Sequence, residues 1–243
     1  MCPKPPPILK ICGLRTLADV RVAEACGATH VGFIVEVGRS PRSLTRRQAR
    51  LLARAARAAT VMVTTSEDPG EIAELAGIVQ PTVVQLHGAP RPVTPLRAGL
   101  AGREVWQVVA VEAGPEPDLH GPREQLEAAR ASGADRVVLD AAKGGHSGGT
   151  GATIDWEAAA ALVEAAGDVS VILAGGLHPG NVAEAIRRVL PAGVDASSGV
   201  EVSGNAKSPR LIRAFCAAVR QVTPALRGAK STEPGGPADR YCF

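Results

Sequence analysis

Short apolar segments rich in Val, Ile and Leu alternate along this chain with longer segments in which apolar residues recur at helical spacing. The short segments predict strands at residues 8–12, 30–35, 60–64, 82–86, 105–109, 136–139, 169–173 and 193–196. The longer segments predict helices at residues 17–26, 45–58, 69–76, 94–101, 123–131, 155–166, 179–189 and 209–222. Because every strand is followed by a helix, the pattern predicts a sheet of parallel strands.

Several of the predicted strands are continuous apolar runs, which is typical of a sheet covered on both faces. A doubly wound open sheet fits this alternation too, but eight units within about 215 residues favour closure into a barrel. We therefore predict an α/β fold, a single (β/α)8 TIM barrel, over residues 8–224. Residues 1–7 and 225–243 lack periodicity and are rich in Pro, Gly and Ser, which predicts disordered tails.

Composition narrows the classes of partner. The 243 residues carry 27 basic and 24 acidic side chains, a balance that argues against nucleic acid, and only 2% are aromatic. Neither a membrane-spanning run nor an apolar leader segment is present, so we expect a cytoplasmic protein that does not bind membranes. The five scattered cysteines predict neither a disulfide framework nor a metal site. The sequence leaves monomer and homodimer open.

In this fold the active site lies where strands end and the following loops begin. Cys12 ends the first predicted strand and Asp140 follows the sixth. By position alone, Cys12 is either a packed small side chain or a reactive thiol. Asp140 either caps a loop or sits against apolar walls that help it to keep a proton. The glycine-rich stretch 141–153 predicts a lid over the site.

Small residues follow the last two predicted strands, namely Gly175 and Gly176 after the seventh and Ser197, Ser198 and Gly199 after the eighth. The loops at these two places often bind phosphate in such barrels, because glycine lets backbone N–H groups approach an anion. Two tight turns without a ligand explain the same residues.

Two further groups of side chains lie at predicted strand ends. Arg39 and Arg42 follow the second strand, and either guanidinium is able to form a two-pronged contact with a carboxylate. His87 ends the fourth strand, where structural and catalytic roles both fit.

Taken in order, the motifs of this chain resemble those of the phosphoribosylanthranilate isomerase family of tryptophan biosynthesis. The match runs from about residue 8 to residue 220 and rests on residues 10–14 (KICGL), 31–33 (VGF), 40–42 (SPR), 84–88 (VQLHG), 138–140 (VLD), 148–151 (GGTG), 155–156 (DW), 173–177 (LAGGL), 181–182 (NV) and 194–201 (VDASSGVE). Each motif is modest alone, but the ordered set is specific.

The resemblance implies an Amadori rearrangement of a small phosphorylated sugar, N-(5-phosphoribosyl)anthranilate, without a metal or other cofactor. It implies that Cys12 is the general base, that Asp140 is the general acid and that Arg42 holds the anthranilate carboxylate. The glycines and serines after strands seven and eight would hold the phosphate. We predict Lys10, His87 and Asp195 as further substrate contacts.

Chemistry suits these residue types. The acid protonates the ring oxygen as the sugar opens to an iminium, and the base then removes the C2 proton. Lys10 lies two residues before Cys12, so both side chains point to the same side of the strand. We therefore predict that Lys10, or another nearby cation, pulls the pKa of the Cys12 thiol toward neutral.

The sequence departs from the family pattern in three segments: residues 61–65 (VMVTT) in the third strand, residues 143–147 (KGGHS) ahead of GGTG, and residues 203–208 (SGNAKS) after SSGVE. These departures leave open a paralogue that acts on a related aminobenzoate. A different phosphate-binding barrel enzyme is less consistent with Cys12, since an aminoimidazole-ribotide isomerase is expected to carry aspartate there. A barrel without catalysis predicts the loss of Cys12 or Asp140, and both are present.

Overall fold

The computed structural model describes residues 8–88, 92–100, 102–114, 117–143, 146–147 and 153–229. Its main strands, numbered in chain order, are β1 Ile8–Ile11, β2 His30–Val35, β3 Ala59–Thr64, β4 Val83–Leu86, β5 Glu104–Glu112, β6 Arg136–Lys143, β7 Ser170–Leu173 and β8 Gly193–Ala196. Its helices are α1 Leu17–Ala25, α2 Arg46–Ala55, α3 Pro69–Val79, α4 Thr94–Leu100, α5 His120–Ala131, α6 Trp156–Ala165, α7 Val182–Val189 and α8 Pro209–Ala229.

The eight strands close into a barrel. Each pairs in parallel with the next along the chain, and β1 pairs with both β2 and β8, so the eight strands form a closed ring. Helices follow the strands in turn, as the alternating pattern predicts. The prediction of a (β/α)8 barrel is therefore confirmed.

Two apolar cores follow from the alternation of side chains along each strand. Every second strand residue points inward, and the barrel interior is filled by Ile8, Cys12, Val61, Val63, Val83, Trp106, Val108, Val138, Ile172 and Ala174. The larger core lies between the barrel and the surrounding helices. Trp106 is fully buried inside the barrel, with its indole N–H donated to Glu104 at 2.7 Å, so the interior is packed rather than open.

Side-chain caps fix where several helices begin. Thr45 and Gln48 form a reciprocal capping box at α2. Asp68 caps α3, in which Pro69 occupies the first turn, and Asp155 caps α6 through two backbone N–H groups. Such caps satisfy N–H groups that lack partners inside the helix, and they anchor the helix starts beside the mouth of the barrel.

The structure differs most from the sequence prediction at the ends of β6 and α8, and the other element ends differ by about three residues or fewer. Strand β6 runs to Lys143 because β5 runs to Glu112 beside it, with Glu112 opposite Ala142. The start of the predicted lid is therefore strand, and His146–Ser147 pairs back onto it. The rest of the lid, at 144–145 and 148–152, lies outside the described residues. Helix α8 extends to Ala229, past the predicted boundary at residue 224, because residues 225–227 (ALR) favour helix. Residues 1–7 and 230–243 are also outside the described part.

Candidate active site

Cys12 lies at the mouth of the barrel, directly after β1. Its backbone N–H continues the ladder by donating to the Ala196 carbonyl at 2.9 Å, and its side chain belongs to the interior core. Gly32 on the neighbouring strand makes room for it, because a Cβ there would lie 2.9 Å from Cys12 Sγ and 3.1 Å from Lys10 Cε. The glycine of the VGF motif is therefore required by packing around the thiol.

Lys10 and Asp195 form a buried ion pair beneath Cys12. They face each other across β1 and β8, and Lys10 has no solvent-exposed surface. Burial lowers the pKa of Lys10, but the charges of Asp195 and Cys12 outweigh it and hold that pKa above its ordinary value. Lys10 is therefore a permanent cation inside the barrel. The other oxygen of Asp195, Oδ1, is buried and has no hydrogen-bond partner in the described part of the chain.

The pKa of the Cys12 thiol runs against the sequence prediction. Lys10 and Lys207 lower it, as expected of nearby cations, but burial is the largest influence and Asp195 adds to it. The net pKa is raised, so the prediction of a thiol drawn toward neutral pH is wrong. The physical reason is that a thiolate inside an apolar barrel loses more free energy of hydration than it gains from attraction to one buried lysine.

Asp140 lies within β6, opposite Ala110 of β5, rather than after the strand as predicted. Burial raises the pKa of its carboxyl to about 7, helped by the negative charge of Asp195 and opposed by Lys10. A carboxylic acid with that pKa holds a proton over much of the neutral range. Asp140 thus has the property that a general acid needs.

The loops after β7 and β8 pack tightly against each other and against β6. Gly175 has φ 78°, and a Cβ on it would lie 2.4 Å from the Ala141 backbone nitrogen, next to Asp140. A Cβ on Gly199 would lie 1.9 Å from the Leu177 carbonyl oxygen. Gly176 also has positive φ, and the Asn181 side chain donates to its carbonyl. These contacts explain why glycine occupies three of the five predicted phosphate positions. The other two, Ser197 and Ser198, begin the loop after β8.

Arg42 reaches the same mouth from the loop after β2. Its Nε and Nη2 atoms each donate to one oxygen of Glu201 at 2.7 Å, in a two-pronged ion pair. The predicted carboxylate clamp therefore already holds a carboxylate of the protein itself. Glu201 stands in a motif that the sequence singled out, but no sequence signal paired it with Arg42.

Several other predicted residues are placed less centrally. His87 is half-buried at the end of β4, where its backbone N–H donates to the Thr64 carbonyl, and Arg39 is exposed. Gln85 of the VQLHG motif is buried, and its Oε1 has no partner among the described residues. Sequence reasoning missed Lys207, which lies in one of the departing segments and donates to Glu201 at 2.6 Å.

Comparison with known proteins places the chain in a well-populated group. The family model for N-(5'-phosphoribosyl)anthranilate isomerase matches residues 9–218. A protein of Haloferax volcanii named N-(5'-phosphoribosyl)anthranilate isomerase is 40% identical over 223 residues, which covers 90% of this chain and 95% of the relative. A protein of Methanocella arvoryzae with the same name is 36% identical, covering 87% and 97%.

Solved structures with the same name resemble this one. The enzyme from Pyrococcus furiosus has a TM-score of 0.75 and 26% identity, covering 89% of this chain and all of that one. A structure described as phosphoribosyl anthranilate isomerase in complex with reduced 1-(o-carboxyphenylamino)-1-deoxyribulose 5-phosphate has a TM-score of 0.70 and 28% identity, with the same coverage. A structure from Thermotoga maritima, at 0.72 and 29%, covers the same shares and is described as derived from a dimeric enzyme.

Proposed function

Because the chain belongs to the N-(5'-phosphoribosyl)anthranilate isomerase family, we propose that it rearranges this substrate to 1-(o-carboxyphenylamino)-1-deoxyribulose 5-phosphate. The observation that carries the assignment to these residues is a pair of groups at one barrel mouth. Asp140 holds a proton near neutral pH, and Cys12 lies above the Lys10–Asp195 ion pair. The reaction needs one acid and one base, and these two side chains supply them.

In the first step, Asp140 gives its proton to the ring oxygen of the ribose. The C1–O bond breaks, its electron pair stays on that oxygen as a hydroxyl, and the nitrogen lone pair forms a C1=N iminium. Burial raises the pKa of Asp140 and so keeps its proton available near neutral pH. The iminium cation that forms nearby then stabilises the carboxylate left behind.

In the second step, the Cys12 thiolate takes the proton from C2. The C–H electrons form a C1=C2 double bond, and the iminium nitrogen becomes a neutral amine. The resulting enolamine becomes the ketone when C1 gains a proton and the C2 hydroxyl loses one. Burial raises the pKa of Cys12, and the positive iminium favours its thiolate together with Lys10 and Lys207.

Two anchors would hold the ends of the substrate. We propose that Arg42 binds the anthranilate carboxylate and that the loops carrying Gly175, Gly176 and residues 197–199 bind the phosphate. The mouth carries three cations, Lys10, Arg42 and Lys207, and two anions, Asp195 and Glu201. Its net positive charge attracts an anion while Asp140 is protonated. His87 and Asp195 are proposed as further contacts of the sugar.

The proposal also covers the compartment in which the protein works and its oligomeric state. A catalytic thiol needs reducing conditions, and Cys12, Cys26 and Cys216 are all free, so we propose that the protein works in the cytoplasm as a monomer or homodimer. We expect it to bind no nucleic acid. Within the described ranges, none of the helices has the length and apolar character needed to cross a bilayer.

The test is the fall in fluorescence when phosphoribosylanthranilate is consumed, measured with the wild type, Cys12→Ala and Asp140→Ala. We expect turnover by the wild type and its loss in both variants. Cys26→Ala and Asp168→Ala are matched controls, since Cys26 packs at the end of α1 and Asp168 is exposed. Wild-type protein without turnover would refute the substrate, and turnover that survives both substitutions would refute the acid–base assignment.

A further inference from the structure

Three charged side chains form a buried cluster between the loop after β2 and the loop after β8. Arg42, Glu201 and Lys207 have side chains that are only 8%, 5% and 2% exposed. Glu201 accepts from Arg42 at 2.7 Å and from Lys207 at 2.6 Å, so one carboxylate joins both cations. The cations hold the pKa of Glu201 below its ordinary value although burial opposes them.

The cluster carries two positive charges and one negative charge. Buried charges are costly unless they are paired, so a buried excess of one positive charge favours an anionic ligand. Arg42 uses Nε and Nη2 for Glu201, and Nη2 also donates to Asn205 Oδ1 at 3.2 Å. Its Nη1 has no partner among the residues that the structure describes. That nitrogen is the part of the guanidinium left for a ligand.

The same cluster reaches the loop predicted to hold phosphate. Lys207 Nζ donates to the Ser197 carbonyl at 2.9 Å and lies 3.4 Å from Ser197 Oγ. Gly13 lies beneath both anchors, because a Cβ there would be 2.7 Å from Arg42 Cδ and 3.1 Å from Ser197 Oγ. A continuous chain of contacts therefore runs from Arg42 through Glu201 and Lys207 to Ser197.

The hairpin that follows Glu201 explains how Lys207 returns to it. Glu201–Val202 and Ala206–Lys207 pair as two short antiparallel strands, with Glu201 directly opposite Lys207. Gly204 and Asn205 make the turn with positive φ values of 76° and 59°. The segment that departs from the family pattern in sequence thus delivers a lysine to a defined place.

We propose that Glu201 and Lys207 are positioning residues that hold the Arg42 clamp and the Ser197 loop at a fixed separation. The Glu201–Lys207 pair, which we call the strut, then fixes the distance between the two groups that bind the anionic ends of the substrate. This inference rests on the proposed function, since it takes the ligand to be an anthranilate linked to a phosphorylated sugar. Neither residue needs to touch the substrate for the strut to work.

A purely electrostatic role of the cluster and a positioning role predict different effects of substitution on substrate binding, so experiment separates the two roles. If the cluster acted only through its charge, Glu201→Gln would strengthen anion binding and Lys207→Met would weaken it. If it positions Arg42, both substitutions weaken binding, and so does Glu201→Asp, which keeps the charge and shortens the side chain. We expect KM to rise about 30-fold in each, or about 2 kcal/mol at about 1.4 kcal/mol per factor of ten, while kcat changes less.

Binding of a ligand that lacks the carboxylate shows whether the loss of affinity arises at the Arg42 clamp. We would measure by calorimetry the binding of reduced 1-(o-carboxyphenylamino)-1-deoxyribulose 5-phosphate and of the same compound with a plain phenyl ring. Glu201→Asp should weaken the carboxylated ligand about tenfold more than the phenyl ligand. Lys207→Met should weaken both, because it also supports the Ser197 loop. Glu127→Gln, which breaks an exposed ion pair on α5, is the control and should change neither.

The outcomes are distinct. Wild-type protein that neither turns over the substrate nor binds the reduced product would overturn the proposed function and, with it, this inference. Wild-type turnover combined with an unchanged KM in Glu201→Asp and Lys207→Met would overturn the inference alone. A lower KM in Glu201→Gln would replace positioning by simple charge. Lys207→Arg, which keeps the charge but alters the reach, serves if Lys207→Met does not fold, and an unchanged KM there also overturns the strut.

Discussion

Replacing Asp140 by asparagine tests whether the proposed general acid lowers the free energy of unfolding of the protein at neutral pH. Burial and the charge of Asp195 raise the pKa of Asp140 to about 7, far above the ordinary aspartate value of 3.8. Between these two pH values the folded protein keeps a proton that the unfolded chain releases. The sign follows from linkage: the group stabilises the fold fully below pH 4, and that stability is lost as pH rises toward 7.

The magnitude comes from the same two numbers. A pKa difference of about three, at about 1.4 kcal/mol for each, gives an upper limit of about 4 kcal/mol. Asp140 is partly exposed at the mouth, and solvent there reduces the value, so we expect about 2 to 4 kcal/mol. Asparagine has nearly the same shape and no proton to lose, which removes this pH dependence.

Urea unfolding of the wild type and Asp140→Asn at pH 4 and pH 8 measures the effect. At pH 4 the two should differ by less than about 1 kcal/mol, whereas at pH 8 the variant should be the more stable by about 2 to 4 kcal/mol, although it has lost turnover. All other titrating groups are common to both proteins, so the difference between the two pH values isolates Asp140. Asp168→Asn, at an exposed site, is the matched control. An equal gap at both pH values would refute the reasoning.

Three further predictions follow from the same geometry. Cys12 Sγ and Lys10 Cε lie within about 6 Å of each other, since both are about 3 Å from one point above Gly32, so Lys10→Met should raise the Cys12 pKa further by removing the nearest cation. The pH dependence of Cys12 alkylation, followed by peptide mass spectrometry, measures this, and an unchanged pKa contradicts it. Gly32→Ala should lower kcat more than it raises KM, because its Cβ displaces the thiol; steady-state kinetics with unchanged kcat would count against it. Finally, the active form has Asp140 protonated and Cys12 ionised, and because the pKa of Asp140 lies below that of Cys12, this form is most populated between the two pKa values. We therefore expect kcat/KM to rise through pH 7 and to fall at the higher pH where Cys12 titrates; a maximum near pH 6 would exclude this order of pKa values.

The repeated pattern of the chain was sufficient for the barrel. Eight apolar segments separated by helical ones admit few closed arrangements, and side-chain direction along β1 then places Lys10 and Cys12 on one face. The limits of strands were harder to predict. Asp140 and the residues after it do not look like strand, since Ala141, Ala142 and Lys143 have weak strand preference. The neighbouring strand β5 supplies the hydrogen bonds that keep them extended.

The electrostatics of the site depended on distances that no sequence pattern contains. Lys10 next to Cys12 predicts a lowered thiol pKa if charge is considered alone. The structure adds that Cys12 is buried and that Asp195, 183 positions further along the chain, neutralises much of the lysine. Desolvation then outweighs attraction, and the sign of the net shift reverses.

The roles of the glycines at the mouth could not be predicted from the sequence alone either. A sequence displays a glycine but not the atom that fills the space of its missing side chain. At Gly13 that atom belongs to Arg42, at Gly32 to Cys12, and at Gly175 to the backbone beside Asp140. Three residues without side chains thus set the positions of the proposed clamp, base and acid. Motifs such as KICG, VGF and AGG are therefore best understood as packing requirements of the chemical groups next to them, and substitution at each glycine should impair its own neighbour.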